Sequence, residues 1–402
     1  MSKLDELIQQ YCPDGVEYKP FGEMATIVRG ASPRPIKNFI TSDVDGINWI
    51  KIGDVKPGSK YITEAAEKIT PDGAKKSRFV NEGDFILSNS MSFGRPYIMK
   101  IQGCIHDGWL AISDFGDYFI PDFLFHLLNS NKYQQMMRKK ASFGGAVQNL
   151  NADIVRDLDM PIVPLPVQSE IVRILDNFTE LTAELTAELT ARKKQYGFYR
   201  DKLLTFGDVR GGATGEVVWK SLAEIADIST GSSNTDDAVE GGCYPFFVRS
   251  QQPLAKDEYE YDEEAIITAG DGVGVGKVFH YIDGKYALHQ RAYRIHPATD
   301  GLLGKYLYHY FVATFPKYIG QQMYQGSVPS IRRPMLNKFQ VAIPSLDVQK
   351  RIVNVLDNFD AICSDLKIGL PAEIEARQKQ YEFYRDALLT YAATGKTILT
   401  DR

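Results

Sequence analysis

Side chains able to read a base edge gather in two stretches of this 402-residue chain, and no catalytic constellation competes with them. The first stretch offers Ser32, Arg34, Lys37 and Lys51, then Ser88, Asn89, Ser90, Ser92 and Arg95, then Ser142, Gln148, Asn149 and Asn151. The second offers Ser232, Ser233 and Asn234; Arg249, Ser250 and Gln251; Asp271 and Lys277; His289, Gln290 and Arg291; and Gln325, Ser327, Arg332 and Arg333. Arg, Lys, Asn, Gln and Ser carry the donors and acceptors that tell base pairs apart in the major groove. Any one of them alone is ordinary solvated surface. The signal is their recurrence at corresponding places of two copies.

Motifs for other chemistry fail on inspection. Asp271-Gly-Val-Gly-Val-Gly-Lys277 would need glycine at Asp271 and Ser or Thr at Val278 to be a phosphate loop. It reads instead as a β-turn between strands at Ala265–Thr268 and Lys277–His280. There is no G-x-S-x-G, H-E-x-x-H or H-x-E…C-x-x-C. Catalytic and metal-ligating residues are therefore expected to be none, with no cofactor held by this chain. The six histidines are mostly isolated, but His106 and His289 occupy matching places, which favours a structural or DNA-facing position.

The elements that must position these residues come from a duplication. Gln168-Ser-Glu-Ile-Val-Arg-Ile-Leu-Asp-Asn-Phe178 recurs, 181 residues on, as Gln349-Lys-Arg-Ile-Val-Asn-Val-Leu-Asp-Asn-Phe359. Arg192-Lys-Lys-Gln-Tyr-Gly-Phe-Tyr-Arg-Asp-Lys-Leu-Leu204 recurs, 185 on, as Arg377-Gln-Lys-Gln-Tyr-Glu-Phe-Tyr-Arg-Asp-Ala-Leu-Leu389. Fainter matches pair Lys19–Gly30 with Lys220–Gly231, Gly83–Ser88 with Glu264–Ala269, and Gly145–Val147 with Gly326–Val328. Each half reads as an opening helix, a globular domain and a helical rod. The expected fold class is α+β. Its boundaries are 1–162 for the first globular domain with its N-terminal helix, 163–210 for the first helical spacer, 211–342 for the second domain, and 343–402 for the second spacer and tail.

The rods show apolar steps of three and four, the seam of a helix that packs on another helix. The first seam runs Ile171, Ile174, Phe178, Leu181, Leu185 and Leu189; the second runs Ile352, Val355, Phe359, Ile362, Leu366 and Leu370. The extra four residues in the second rod are a stutter that keeps the stripe. A helix over 171–204 would be about 50 Å long. An antiparallel coiled coil of the two rods, related by a pseudo-two-fold axis and separating the globular domains, is expected. Pro371 opposes a straight second rod and marks Gly369-Leu-Pro371 as a joint. The tandem Leu181-Thr-Ala-Glu-Leu185-Thr-Ala-Glu-Leu189-Thr could act as a ruler, since each four-residue unit adds about 6 Å and roughly 40° of turn.

Composition bounds the reading. Hydrophobic residues make up 44% and charged residues 24%, ordinary values for a globular protein, and no apolar run is long enough to span a membrane. The N-terminus lacks a signal-peptide core, so a cytoplasmic location is expected. Cys12, Cys104, Cys243 and Cys363 are scattered and read as free thiols. Net charge is −5. Residues 18–162 carry 18 Lys and Arg against 16 Asp and Glu, or +2, whereas residues 217–342 carry 12 against 14, or −2. Non-specific phosphate affinity of this chain alone should be weak.

The pattern as a whole resembles the specificity (S) subunit of type I restriction–modification systems. The segments that carry the resemblance are Pro164…Gln168…Ile171…Leu175-Asp176 with Gln195-Tyr-Gly-Phe-Tyr-Arg-Asp201, and their second copies Pro344…Gln349…Ile352…Leu356-Asp357 with Gln380-Tyr-Glu-Phe-Tyr-Arg-Asp386. The Thr-Ala-Glu-Leu repeat is similar to that family's spacer repeat. The resemblance implies two target recognition domains, each reading one half of a split asymmetric site in double-stranded DNA, with the paired helices setting the spacer. It also implies a non-catalytic chain that docks two methyltransferase (M) subunits, which bring S-adenosylmethionine, and restriction (R) subunits, which bring ATP and Mg²⁺. Two rivals differ in class. A DNA adenine methyltransferase would need an Asn/Asp-Pro-Pro-Tyr/Phe motif, and Ser88-Asn-Ser-Met91 is not one. A coiled-coil adaptor with two protein-binding heads would suit the negative charge.

Overall fold

Strand-forming runs rich in Ile, Val, Phe and Tyr alternate with turn residues between about 18 and 160 and again between about 218 and 343, and long amphipathic helices follow each block. The computed structural model describes residues 2–55, 58–89, 93–141, 150–206, 217–322 and 329–396. Contacts divide the chain into two units, Met1–Glu184 with Ile374–Arg402, and Leu185–Glu373. Each unit is therefore assembled from one globular domain, the start of the helix that follows it, and the end of the helix from the other copy.

The first unit opens with a helix, Lys3–Tyr11, capped by Ser2, whose hydroxyl accepts from the Asp5 N–H while Asp5 reciprocates. Its domain holds two five-stranded sheets. One runs, in spatial order, Thr26–Arg29, Trp109–Ser113, Phe85–Ser88, Pro96–Met99 and Tyr61–Ile62. The other runs Ile40–Thr41, Glu67–Ile69, Ile47–Ile50, Gly103–Ile105 and Arg78–Val80. The main core packs Phe21, Phe85, Phe119, Phe123 and Tyr133 with Val167, Ile171 and Leu175 of the long helix, and with Tyr381, Leu388 and Ala392 of the last one. Burying such side chains contributes about 1.5–3 kcal/mol each, so the helices are part of the domain's stability.

The second unit has one six-stranded sheet: Ala226–Thr230, Ala292–Pro297, Tyr261–Ala269, Phe279–Leu288, Tyr244–Phe247 and Leu254–Lys256. Its core joins Ile266, Phe311, Phe315 and Phe339 to Leu204, Ile352 and Leu356 of the helices. The sequence predicts an opening helix in each half; at the second opening only one turn forms, Leu222–Ile225, capped by Ser221 and Glu224.

The first rod is one helix, Leu165–Leu204. The second is two, Leu346–Ser364 and Leu370–Thr394, because Pro371 cannot donate a backbone N–H and sits in the opening turn of the latter. The intervening Leu366 and Ile368 are exposed, so Leu366 does not belong to a buried seam. The buried stripe is also turned from the expected one. In the first helix it follows Val167, Ile171 and Leu175, leaving Ile174, Phe178, Leu185 and Leu189 half-buried and Leu181 exposed. In the next it follows Ile352, Leu356 and Cys363, leaving Phe359 half-buried and Val355 and Ile362 exposed. Steps of three and four fit either neighbouring stripe, and the docked domain decides between them.

Equivalent contacts appear in both units with the copies exchanged. In the first unit Phe178 stacks on Tyr384, centroids 5.3 Å apart; in the second Tyr199 stacks on Phe359 at 5.8 Å. Each stack contributes about 0.5–1.5 kcal/mol beyond burial. In the second unit Arg192 and Lys193 lie by Cys363 and Tyr199 by Phe359, so the two helices run antiparallel there.

Candidate nucleic-acid interface

Two glutamines anchor the helices that carry the domains. Gln168 is fully buried; its Oε1 accepts from the Ile120 N–H at 2.9 Å, and its Nε2 donates to the Tyr118 and Val163 carbonyls at 2.7 Å. Gln349 repeats the pattern with the Leu303 N–H at 2.9 Å and the Gly301 and Pro344 carbonyls at 2.8 Å. A second fastening pairs a buried histidine with the aspartate of the same motif: His126 Nε2 with Asp176 at 3.3 Å, and His309 Nε2 with Asp357 at 2.7 Å. Burial holds both histidines below their ordinary pKa, while the His126 contact lowers the Asp176 carboxyl. Sequence reasoning passed over these roles, although a polar Gln and Asp recurring inside an apolar motif was the available signal.

The loops that follow the strands are built on matching backbone bonds. The Asn89 N–H bonds the Gly108 carbonyl, and the Gly270 N–H bonds the Arg291 carbonyl. The Asn89 and Gly270 carbonyls accept from Leu150 and Ile331. His106 Nδ1 accepts from the Gly108 N–H at 2.6 Å and His289 Nδ1 from the Arg291 N–H at 2.9 Å. Gly30 and Gly231 end the matching strands, and a Cβ on either would fall about 2 Å from the facing carbonyl, of His106 or Leu288. The duplicated glycine is a close-approach requirement.

On this shared frame the side chains differ. In the first domain Asp107 is the hub: it accepts from the Ser32 hydroxyl at 2.6 Å and lies 3.5 Å from the exposed Arg34 guanidinium, while its carbonyl accepts from Arg29 and Asn89. The Ser32 bond is the main reason its carboxyl is acidified. Lys51 pairs with Glu67 at 2.6 Å, and Lys37 and Arg95 are exposed. Ser88 and Asn89 are buried and tie down their own loops, so they do not face outward as expected. Asn151 caps the helix Ala152–Arg156.

In the second domain Asp271 joins Arg249, at 2.6 Å, to Arg291, at 3.4 Å. Gln290 bonds Asn234, and Gln251 bonds the Lys277 carbonyl. Ser250 bonds the Gln252 carbonyl; Lys277 is exposed, as are Arg332, the residue preceding the helix Arg333–Asn337, and Arg333. Ser233 is buried against Glu260 and Lys256, and the Ser232 N–H donates to Glu260, so Ser233 is framework and not surface. The glycine segment is no simple β-turn: strands Tyr261–Ala269 and Phe279–Leu288 are joined by a longer loop with a helical turn at Gly272–Gly274. A Cβ on Gly274 would lie 2.5 Å from the Arg249 carbonyl, so this glycine lets the Arg249 loop pack close. Ser90, Ser92, Ser142, Gln148, Asn149, Gln325 and Ser327 lie outside the described residues. Thr235, Asp236 and Asp237 line the same cleft as Arg249, His289 and Arg291 and were missed, the two aspartates because they are acidic. Among the described residues no cluster of three or more His, Cys, Asp or Glu could hold a metal, and no helix is long and apolar enough to cross a membrane.

The family model described as type I restriction modification DNA specificity domain matches residues 13–192 and again 215–376. The chain belongs to the type I restriction–modification specificity subunits. Among its relatives, the EcoR124I/EcoR124II specificity subunit of Escherichia coli is 36% identical over 257 residues, 58% of this chain and 61% of that one. A putative type I specificity subunit of Haemophilus influenzae is 28% identical across 94% of this chain and 96% of its own length. The fold is shared with solved specificity subunits: a chain from a type I restriction–modification assembly superposes with TM-score 0.61 at 18% identity, covering 95% of this chain and 98% of that one, and the HsdS subunit of Thermoanaerobacter tengcongensis with 0.50 at 20%, covering 95% and 97%.

A second surface is duplicated as well. Phe198 and Phe383 stand at matching helix positions, 62% and 50% exposed, each edge-on to the next tyrosine at 5.4 Å. Aromatic side chains of this kind anchor protein interfaces.

Proposed function

We propose that each globular domain reads one half of a bipartite asymmetric duplex site, and that two methyltransferase subunits dock on the duplicated helices. The observation that supports this most is the shared loop frame, built on Gly30/Gly231 and His106/His289, which presents different side chains in the two copies. Two readers of two sequences need a common geometry and divergent donors and acceptors. Matching exposed aromatics, Phe198 and Phe383, suit two copies of one partner. The adenine chemistry, with S-adenosylmethionine, belongs to those partners, and restriction subunits using ATP and Mg²⁺ complete the complex. Phosphate clamping by the partners compensates for the chain's net charge of −5. The proposed site of action is the cytoplasm.

The helix Leu165–Leu204 acts in this reading as the ruler. Deleting Thr182–Leu185 shortens it by about 6 Å, with roughly 40° of turn. Sequencing methylated adenines in a host that expresses the variant with its partners should show a changed spacer between unchanged half-sites. An unchanged spacer would reject the ruler.

A further inference from the structure

The cleft of about 510 Å³ around Arg249 and Arg291 is unusual for a DNA-facing surface because its charge is not positive. Two guanidinium groups face three carboxylates: Asp236 and Asp237 in the wall, and Asp271, which both arginines contact. His289 adds no charge, since burial, with Arg249 and Arg291 beside it, keeps its pKa below the ordinary value. A phosphate would meet net negative charge here. A neutral ligand with an acceptor edge beside a donor edge fits better: acceptors meet the arginines and donors meet Asp236 and Asp237. In the major groove, guanine O6 and N7 supply the acceptors, and the paired cytosine N4 amino group supplies the donor.

Resting on the DNA-reading function above, we infer that the Arg249–Asp271–Arg291 cluster reads a G·C base pair in the half-site of the second domain. Asp271 is the positioning residue. Each arginine spends one Nη1 donor on a separate oxygen of its carboxylate, and each guanidinium has five donors in all. The remaining N–H groups are held in a fixed direction, so less side-chain entropy is lost when a base edge arrives. The first domain has no such pair: Arg34 is 83% exposed and reaches Asp107 at 3.5 Å with no second arginine on that carboxylate in the described structure.

The test uses the full chain assembled with its methyltransferase partners and a duplex carrying the site found by sequencing methylated adenines. Replacing guanine by 7-deazaguanine, one position at a time, removes N7 and keeps base pairing. One position in one half-site should lose roughly 5- to 150-fold in affinity, the range of a good bidentate contact. Arg249→Ala or Arg291→Ala should abolish the extra loss at that position. Asp271→Asn should narrow the preference for G·C over A·T there while leaving affinity for the other half-site unchanged, which a purely structural defect would not do. Selective binding with no 7-deazaguanine-sensitive position, or a sensitive position indifferent to both arginine variants, overturns the inference and leaves DNA reading intact. Failure of the assembly to prefer any duplex overturns both.

Discussion

Around its paired histidine the first domain sets one arginine, Arg34, on the Asp107 carboxylate, with Arg29 bonding only the Asp107 carbonyl, whereas the second sets two, Arg249 and Arg291, on the Asp271 carboxylate. The backbone bonds beneath them coincide, from the Gly30/Gly231 close approach to the Asn89 and Gly270 loop bonds. The difference separates what duplication must keep from what it is free to change. Bonds among backbone groups are indifferent to side-chain identity, so the frame survives divergence. The side chains that leave the frame carry whatever discrimination the domain has.

The comparison breaks first if the anchors are not equivalent. Gln168→Ala and Gln349→Ala each strand one N–H and two carbonyls in the interior, a loss of about 3 kcal/mol in either unit by denaturant unfolding. A large effect in one and none in the other would deny the shared frame. Arg249→Ala and Arg34→Ala sharpen the contrast between faces. The former should relax one half-site by roughly 5- to 150-fold and the latter only the other, by less, since Arg34 is poorly held; binding to half-site variants of the duplex measures both. Equal damage to both halves would end independent reading. Phe198→Ala and Phe383→Ala should each weaken partner assembly, by about 1–2 kcal/mol in a titration of the methyltransferase subunit, with unfolding stability nearly unchanged. The smallest effect concerns pH. His280, His289 and His309 in the second unit, and His106 and His126 in the first, are all held below their ordinary pKa by burial. Protonation therefore favours unfolding: stability is intact above about pH 6.5 and falls as pH drops below it. The second unit, with three such groups, should melt earlier at pH 5 than at pH 7 by a wider margin than the first, as hydrogen exchange resolved by segment would report.

Much of this architecture was legible because the repeat is long and its periodicity clear. Gln168–Phe178 and its copy announced two helices, and Pro371 announced the break between Ser364 and Leu370. The seam was not legible at residue level, since Leu356 and Val355 are equally apolar and only the docked domain chooses Leu356. The reading loops were legible as regions but not as faces. Ser88, Asn89 and Ser233 look like surface in sequence, yet they satisfy loop groups in the interior. Conversely Asp107, Asp236 and Asp237 were passed over because carboxylates count against DNA binding in any charge sum, although Asp107 orients donors and, in the proposed reading, Asp236 and Asp237 accept from a base amino group. Function of this kind depends on which polar group another polar group holds still, a pairing that only the fold brings about.

In the proposed reading, two domains built on the same loop frame read separate patches of one duplex. Sequencing methylated adenines in cells expressing this chain with its methyltransferase partners tests it most directly. Two short, different sequences at a fixed separation, with only one of them altered by Arg249→Ala, is the predicted outcome. A single uninterrupted site, or methylation without sequence preference, would contradict it.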